Sequence, residues 1–149
     1  MVAGYAESIA ELLRERLAEQ IRSVERLRAV AERERELLQK RDLDRVIQQE
    51  AEKEKLVEVI RQRDREIETL RRAWQKNIGH PAAGEVEALL SRLGEQVRQL
   101  IEVEGDNVTI VRQLRDEVEA ELRKLMGMRQ GGGYPPANQV SGRFVDTEA

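Results

Sequence analysis

The chain has 149 residues, of which 37% are charged, 40% hydrophobic and only 3% aromatic, and its 26 basic and 29 acidic residues leave a formal net charge of -3. This balance is typical of one helical domain with a thin aliphatic core, and the interleaved charges disfavour a nucleic-acid binder, which concentrates positive charge on one face. Because cysteine is absent, a disulfide framework and a thiolate metal site are excluded.

Targeting segments and catalytic motifs are not evident in the sequence. The N-terminal residues lack the basic start and apolar stretch of a secretory signal, and no segment approaches the roughly 18 apolar residues of a membrane span. The three glycines at 131–133 are not followed by the lysine and hydroxyl residue of a phosphate loop. We therefore expect a cytoplasmic protein with no membrane span, no cofactor, no bound metal and no enzymatic activity.

The first predicted helix covers about residues 6–40, because aliphatic residues recur there in steps of three and four. The pattern breaks near residue 41, where Asp42 can cap a second helix and Asp44 sits favourably in its first turn. A tight helical hairpin is predicted at this point. The recurring aliphatic residues form an apolar seam along one face of the first helix: Ala10, Leu13, Leu17, Val24, Leu27, Ala31 and Leu38.

Two further helices are predicted, over about residues 43–77 and 85–126, separated by a segment with two glycines and a proline. Beyond residue 126 the glycines and prolines predict a flexible C-terminal tail over 127–149. The predicted fold is all-α: an elongated, coiled-coil-like antiparallel three-helix bundle over 1–126, followed by the tail. If the turn between the first two helices is tight, residue i of the first helix should lie opposite residue 83 minus i of the second, to within about one helical turn.

This register predicts a polar layer inside the bundle. Five polar seam residues fall at about the same height: Glu34, Glu50, Lys53, Glu104 and Asn107. Such a layer can fix helix register, or it can form a functional site. A di-iron centre would require Glu-x-x-His motifs on the helices, whereas the single histidine, His80, is predicted to lie in a loop.

The end of the third helix and the tail are the predicted binding surface. About 12 Å of that helix is expected to extend past the first hairpin, which would expose Leu122, Leu125, Met126 and Met128 unless the hairpin loop covers them. The tail adds apolar residues that have no core of their own: Tyr134, Val140, Phe144 and Val145. The tail is either a segment that becomes ordered on binding or an inert terminus.

The sequence resembles the FlgN-type flagellar export chaperones. The resemblance is carried by residues 32–44, which are similar to the family's first hairpin, and by residues 52–57, which are similar to its Glu-Lys-rich second helix. It continues through residues 107–125 and then Tyr134 and residues 143–146, which are similar to the last helix and terminus. One departure is Pro135, which stands where the family pattern has glycine.

The resemblance implies a cytoplasmic chaperone that binds hook-filament junction proteins and delivers them to the flagellar type III export gate. It implies that Tyr134 contacts the gate, and that the end of the third helix and the tail hold the cargo. The alternative is a structural coiled coil that self-associates through its seams and has a passive tail. The chaperone interpretation predicts a monomer or a weak homodimer.

Overall fold

A computed structural model describes residues 2–75 and 79–129 and contains three helices in this part of the chain. They are α1 (Val2–Gln39), α2 (Leu43–Trp74) and α3 (Ala83–Arg129). The predicted all-α fold is confirmed, although α1 begins four residues earlier than predicted and α3 ends three residues later. None of these helices, as far as the structure describes them, is long and apolar enough to cross a membrane. The predicted tail beyond Arg129 lies outside the described residues.

The chain divides into two compact units, residues 1–108 and residues 109–149. The first unit contains α1, α2 and the N-terminal part of α3. The described part of the second unit, residues 109–129, is the C-terminal part of α3. It includes Gly127, which was predicted to begin the tail: a single glycine costs a helix only about 1 kcal/mol, and the flanking methionines favour helix.

The first hairpin ends α1 with a Schellman motif. The backbone N–H of Asp42 donates to the carbonyl of Leu37 (2.9 Å) and that of Arg41 to the carbonyl of Leu38 (3.0 Å). Arg41 occupies the left-handed position of this motif, with φ 61°, where glycine is most common. Asp42 then caps α2, as predicted, because its side chain accepts a hydrogen bond from the backbone N–H of Arg45.

Hydrogen bonds and ion pairs join α1 to α2 in antiparallel order. Arg16 pairs with Glu66 (2.8 Å), Glu19 with Arg63 (3.3 Å) and Glu34 with Lys53 (3.2 Å). The two residue numbers within each pair add up to 82, 82 and 87, respectively, which is close to the predicted sum of 83. The hairpin register therefore follows from a tight turn at residues 40–42.

Within the first unit, α3 runs parallel to α1, and three of the contacts between them have the same offset. Arg14 contacts Glu85 (2.5 Å), Arg35 contacts Asp106 (3.1 Å) and Arg28 donates to Gln99, and each pair is separated by 71 residues. A constant separation is expected when two parallel helices lie side by side with no change of register. α1 therefore has α2 along one side and α3 along another.

Most of the buried hydrophobic residues described in the first unit belong to α1. Leu13 and Leu17 are fully buried and pack with Ile67 of α2 and Val86 of α3. Trp74 packs against this cluster and makes an edge contact with the ring of His80. The buried hydrophobic residues of α1 are Ala6, Ile9, Ala10, Leu13, Leu17, Ile21, Val24, Leu27, Ala31, Leu37 and Leu38.

His80 organises the start of α3. Its Nδ1 accepts a hydrogen bond from the backbone N–H of Ala82 (3.0 Å), and its Nε2 lies 3.2 Å from a carboxylate oxygen of Glu7. The preceding Gly79 has φ 95°, a left-handed conformation in which glycine is unstrained. The histidine therefore has a structural role in the turn before α3.

Candidate functional site

Three of the predicted polar-layer residues form a charged triad in the first unit. The Nζ atom of Lys53 lies 3.2 Å from Glu34 on α1, and 2.8 Å and 3.0 Å from the two carboxylate oxygens of Glu104 on α3. The side chains of Lys53 and Glu34 are only 17% and 11% exposed, whereas that of Glu104 is 33% exposed. One ammonium group therefore joins all three helices at this height.

Burial opposes the charge on Lys53, but its two partners outweigh burial. Desolvation by itself would lower the pKa of Lys53, whereas the hydrogen bonds and charges of Glu104 and Glu34 raise it above its usual value. The folded state thus favours the charged ammonium.

Asn107 extends the polar layer toward the next turn of α3. Its Nδ2 donates to the backbone carbonyl of Ala31 at 2.9 Å, and the residue is only 2% exposed. Glu50, in contrast, is exposed, and Gln49 is the half-buried residue at this point of α2. The reason is spacing: Gln49 lies four residues before Lys53, on the seam that faces α1, whereas Glu50 lies to one side of it.

A second set of polar contacts near the middle of the hairpin was not predicted. Gln20 is 2% exposed and donates from Nε2 to the carbonyl of Ile60 (2.8 Å). Arg63 reaches Ser23 Oγ (2.7 Å) and the carboxylate of Glu19 (3.3 Å). The signal was present in the sequence, because Gln20 follows Leu17 by three residues and Arg63 follows Ile60 by three, which are seam spacings.

Neither polar set has the composition of a metal site. Among residues 2–75 and 79–129, no group of three or more histidine, cysteine, aspartate or glutamate side chains could hold a metal ion. The triad instead pairs its two carboxylates with an ammonium group. Such a pairing between three helices is what the register-fixing interpretation of the polar layer predicts.

The described part of the second unit has an exposed apolar surface. We define the α3 stripe as Val111, Val118, Leu122 and Leu125, whose exposed fractions are 49%, 56%, 36% and 54%. At about 100° per residue, these four side chains fall within an arc of about 60° on one face of the helix. An exposed apolar stripe on an amphipathic helix is typical of a surface that binds another helix.

The predicted cargo-binding residues fall only partly on this stripe. Leu122 and Leu125 belong to it, and Met126 is half-buried beside it. Position 128 lies within α3, but the side chain of Met128 is outside the described residues, as are Tyr134, Val140, Phe144 and Val145. Val111 and Val118 lie outside the predicted binding surface, which covers only the last two turns of α3.

Compared with protein-family models, with curated proteins and with solved structures, the chain matches none of them.

Proposed function

We propose that the protein is an export chaperone of the FlgN type, which binds hook-filament junction proteins in the cytoplasm and delivers them to the flagellar type III export gate. The comparisons do not connect the chain with that family. The proposal depends on the residues that resemble it and on one structural observation, the exposed α3 stripe.

The α3 stripe is suited to holding an amphipathic helix of a partner. Three of its four residues are about half exposed or more, so they retain apolar surface that a partner could remove from water. Truncating a well-buried leucine at such an interface costs about 2–4 kcal/mol of binding free energy, or roughly 30- to 1,000-fold in affinity. A chaperone uses a surface of this kind to cover the apolar face of a cargo before assembly.

Copurification with hook-filament junction proteins tests the cargo-binding step. Leu122→Asp and Leu125→Asp should each weaken capture at least tenfold, because a charge on the stripe must be desolvated on binding. The matched control is Ile47→Asp on α2, which replaces an apolar residue that is 71% exposed and not part of the stripe. Capture that survives both stripe variants would exclude the stripe as the cargo site.

Truncation after Arg129 tests the role of the tail. It removes residues 130–149 and leaves α3 complete, unlike a cut before Gly127, which would remove helical residues. The chaperone proposal predicts that the truncated chain folds normally and binds cargo more weakly. Replacement of Tyr134 by alanine should reduce delivery to the gate and leave cargo capture unchanged.

A self-associating coiled coil is the competing function for the same surface. It predicts that the purified chain sediments as a dimer or higher oligomer at micromolar concentration and that Leu122→Asp converts it to a monomer. The chaperone proposal predicts a monomer or a weak dimer that Leu122→Asp does not change. Sedimentation velocity distinguishes the two outcomes.

A further inference from the structure

His80 contacts residues of α1 and α2 and the start of α3 at one end of the first unit. Its Nε2 lies 3.2 Å from the carboxylate of Glu7, its ring lies edge-on to Trp74 with 5.2 Å between the ring centroids, and its Nδ1 accepts the backbone N–H of Ala82. We define the α3 latch as these four residues. The side chain of His80 is only 16% exposed, so water has little access to these contacts.

The hydrogen bonds of the latch determine which ring nitrogen carries the proton. Because a backbone N–H can only donate, Nδ1 must present its lone pair to Ala82, and the neutral ring then donates from Nε2 to Glu7. A protonated imidazole has an N–H group on both nitrogens. Protonation therefore turns Nδ1 from an acceptor into a donor that faces the N–H of Ala82, which is also a donor.

The residue that would lose its acceptor holds the start of α3. Ala82 is 7% exposed, and its carbonyl accepts the backbone N–H of Val86 (3.1 Å), which is fully buried in the core cluster with Leu13 and Leu17. A buried N–H without an acceptor is costly, and a positive charge at the start of a helix is unfavourable as well. We therefore expect protonation of His80 to loosen the first turn of α3.

The charged groups around the latch offset this effect only in part. Glu7 attracts a protonated His80, but the side chain of Glu7 is 59% exposed, so water screens the attraction. Arg14 lies 3.8 Å from the same carboxylate and 2.5 Å from Glu85 in the first turn of α3, so Glu7 already has a positive neighbour. From α2, the described residue in contact with the ring is the uncharged Trp74.

From this geometry we propose that the α3 latch is a pH-dependent switch, which holds the start of α3 while His80 is neutral and opens when Nδ1 takes up a proton. Histidine is the side chain that ordinarily changes its charge between pH 5 and 8, whereas carboxylates and guanidinium groups ordinarily keep theirs. The switch concerns the first unit alone, and it depends neither on the α3 stripe nor on the proposed function.

Hydrogen exchange of the Ala82 amide, followed by NMR at pH 8 and at about pH 5.5, tests the switch. Each rate is divided into the intrinsic rate of an unstructured amide at the same pH, which gives a protection factor. The protection factor of Ala82 should fall by about tenfold or more at the lower pH. That of the buried Val103, about 30 Å further along α3, should change by less than about twofold.

His80→Asn is the matched control variant. An asparagine side-chain oxygen can accept the backbone N–H two residues further on, as His80 Nδ1 does, but asparagine does not take up a proton in this pH range. This variant should keep the protection of Ala82 at both pH values. The chain contains a single histidine, so the nitrogen chemical shifts of its ring report directly which atoms carry protons, and at pH 8 the proton should be on Nε2.

Each outcome decides for or against the switch. Protection of Ala82 that persists in the native chain at about pH 5.5 overturns it. An equal fall in His80→Asn also overturns it, because another group is then responsible. If circular dichroism shows that His80→Asn is not folded, the native chain decides: a ring protonated on Nδ1 at pH 8, or protection lost at a pH where the ring stays neutral, overturns the switch.

Discussion

Removing the ammonium group of Lys53 is the sharpest test of the polar layer. Lys53→Met keeps most of the side-chain volume but leaves the carboxylates of Glu34 and Glu104 facing each other without a cation. Removing one partner of a buried ion pair costs about 3–5 kcal/mol. Because the side chain of Glu104 is one-third exposed, water screens part of this cost, and we expect a loss of about 3 kcal/mol.

Urea titration followed by circular dichroism measures this loss. With a slope of about 2 kcal/mol per M of urea, a loss of 3 kcal/mol lowers the unfolding midpoint by about 1.5 M.

The matched control replaces all three charges, with Lys53→Met, Glu34→Gln and Glu104→Gln in one chain. It should recover most of the lost stability, because neutral side chains of similar shape leave no buried charge unpaired. A loss below about 1 kcal/mol for Lys53→Met, or a triple variant no more stable than the single one, would refute the assignment of the triad as a register-fixing contact.

Three further predictions concern the first unit. Since the pKa of Lys53 is raised on folding, the stability that its charge contributes is complete below about pH 10.5 and is lost as the pH rises through the folded-state pKa. The urea midpoints of the native chain and of Lys53→Met should therefore stay separated up to pH 10 and converge at higher pH. Arg41→Gly should be about 1 kcal/mol more stable to urea than Arg41→Ala, because only glycine is unstrained at φ 61°, and equal midpoints would contradict the left-handed turn. Gly94→Ala should raise the free energy of unfolding by about 1 kcal/mol, because nothing lies within 4 Å of the added Cβ; a thermal midpoint that falls would show that α3 is more crowded there.

The helices and their register could be predicted because local spacing determines them. The seam of α1 and the cap at Asp42 were readable directly, and a tight turn then fixes which residues of α2 lie opposite Glu34. The sequence did not reveal that Arg41 would occupy a position that usually takes glycine, since the turn's own hydrogen bonds override that preference.

The details of the polar contacts were less predictable than the helices. Glu50 and Gln49 are adjacent, and a register known only to about one turn cannot decide which of two neighbours faces α1. Gln20 and Arg63 were missed because long polar side chains at seam positions can either reach a backbone carbonyl or turn to solvent. Only the packed structure distinguishes these alternatives.

Because the triad lies in the first unit and the α3 stripe in the second, we expect that stability and binding can be changed separately. Leu122→Asp alters an exposed residue, so it should change the free energy of unfolding by no more than about 0.5 kcal/mol while it weakens cargo binding. Lys53→Met should do the reverse, because a chain that retains about 3 kcal/mol of stability is still more than about 99% folded, and apparent affinity falls only in proportion to the folded fraction. Cargo-binding titrations and urea titrations of both variants provide the comparison. If Lys53→Met weakens cargo binding beyond its folded fraction, the triad of Glu34, Lys53 and Glu104 takes part in binding, and its assignment as a purely register-fixing contact is wrong.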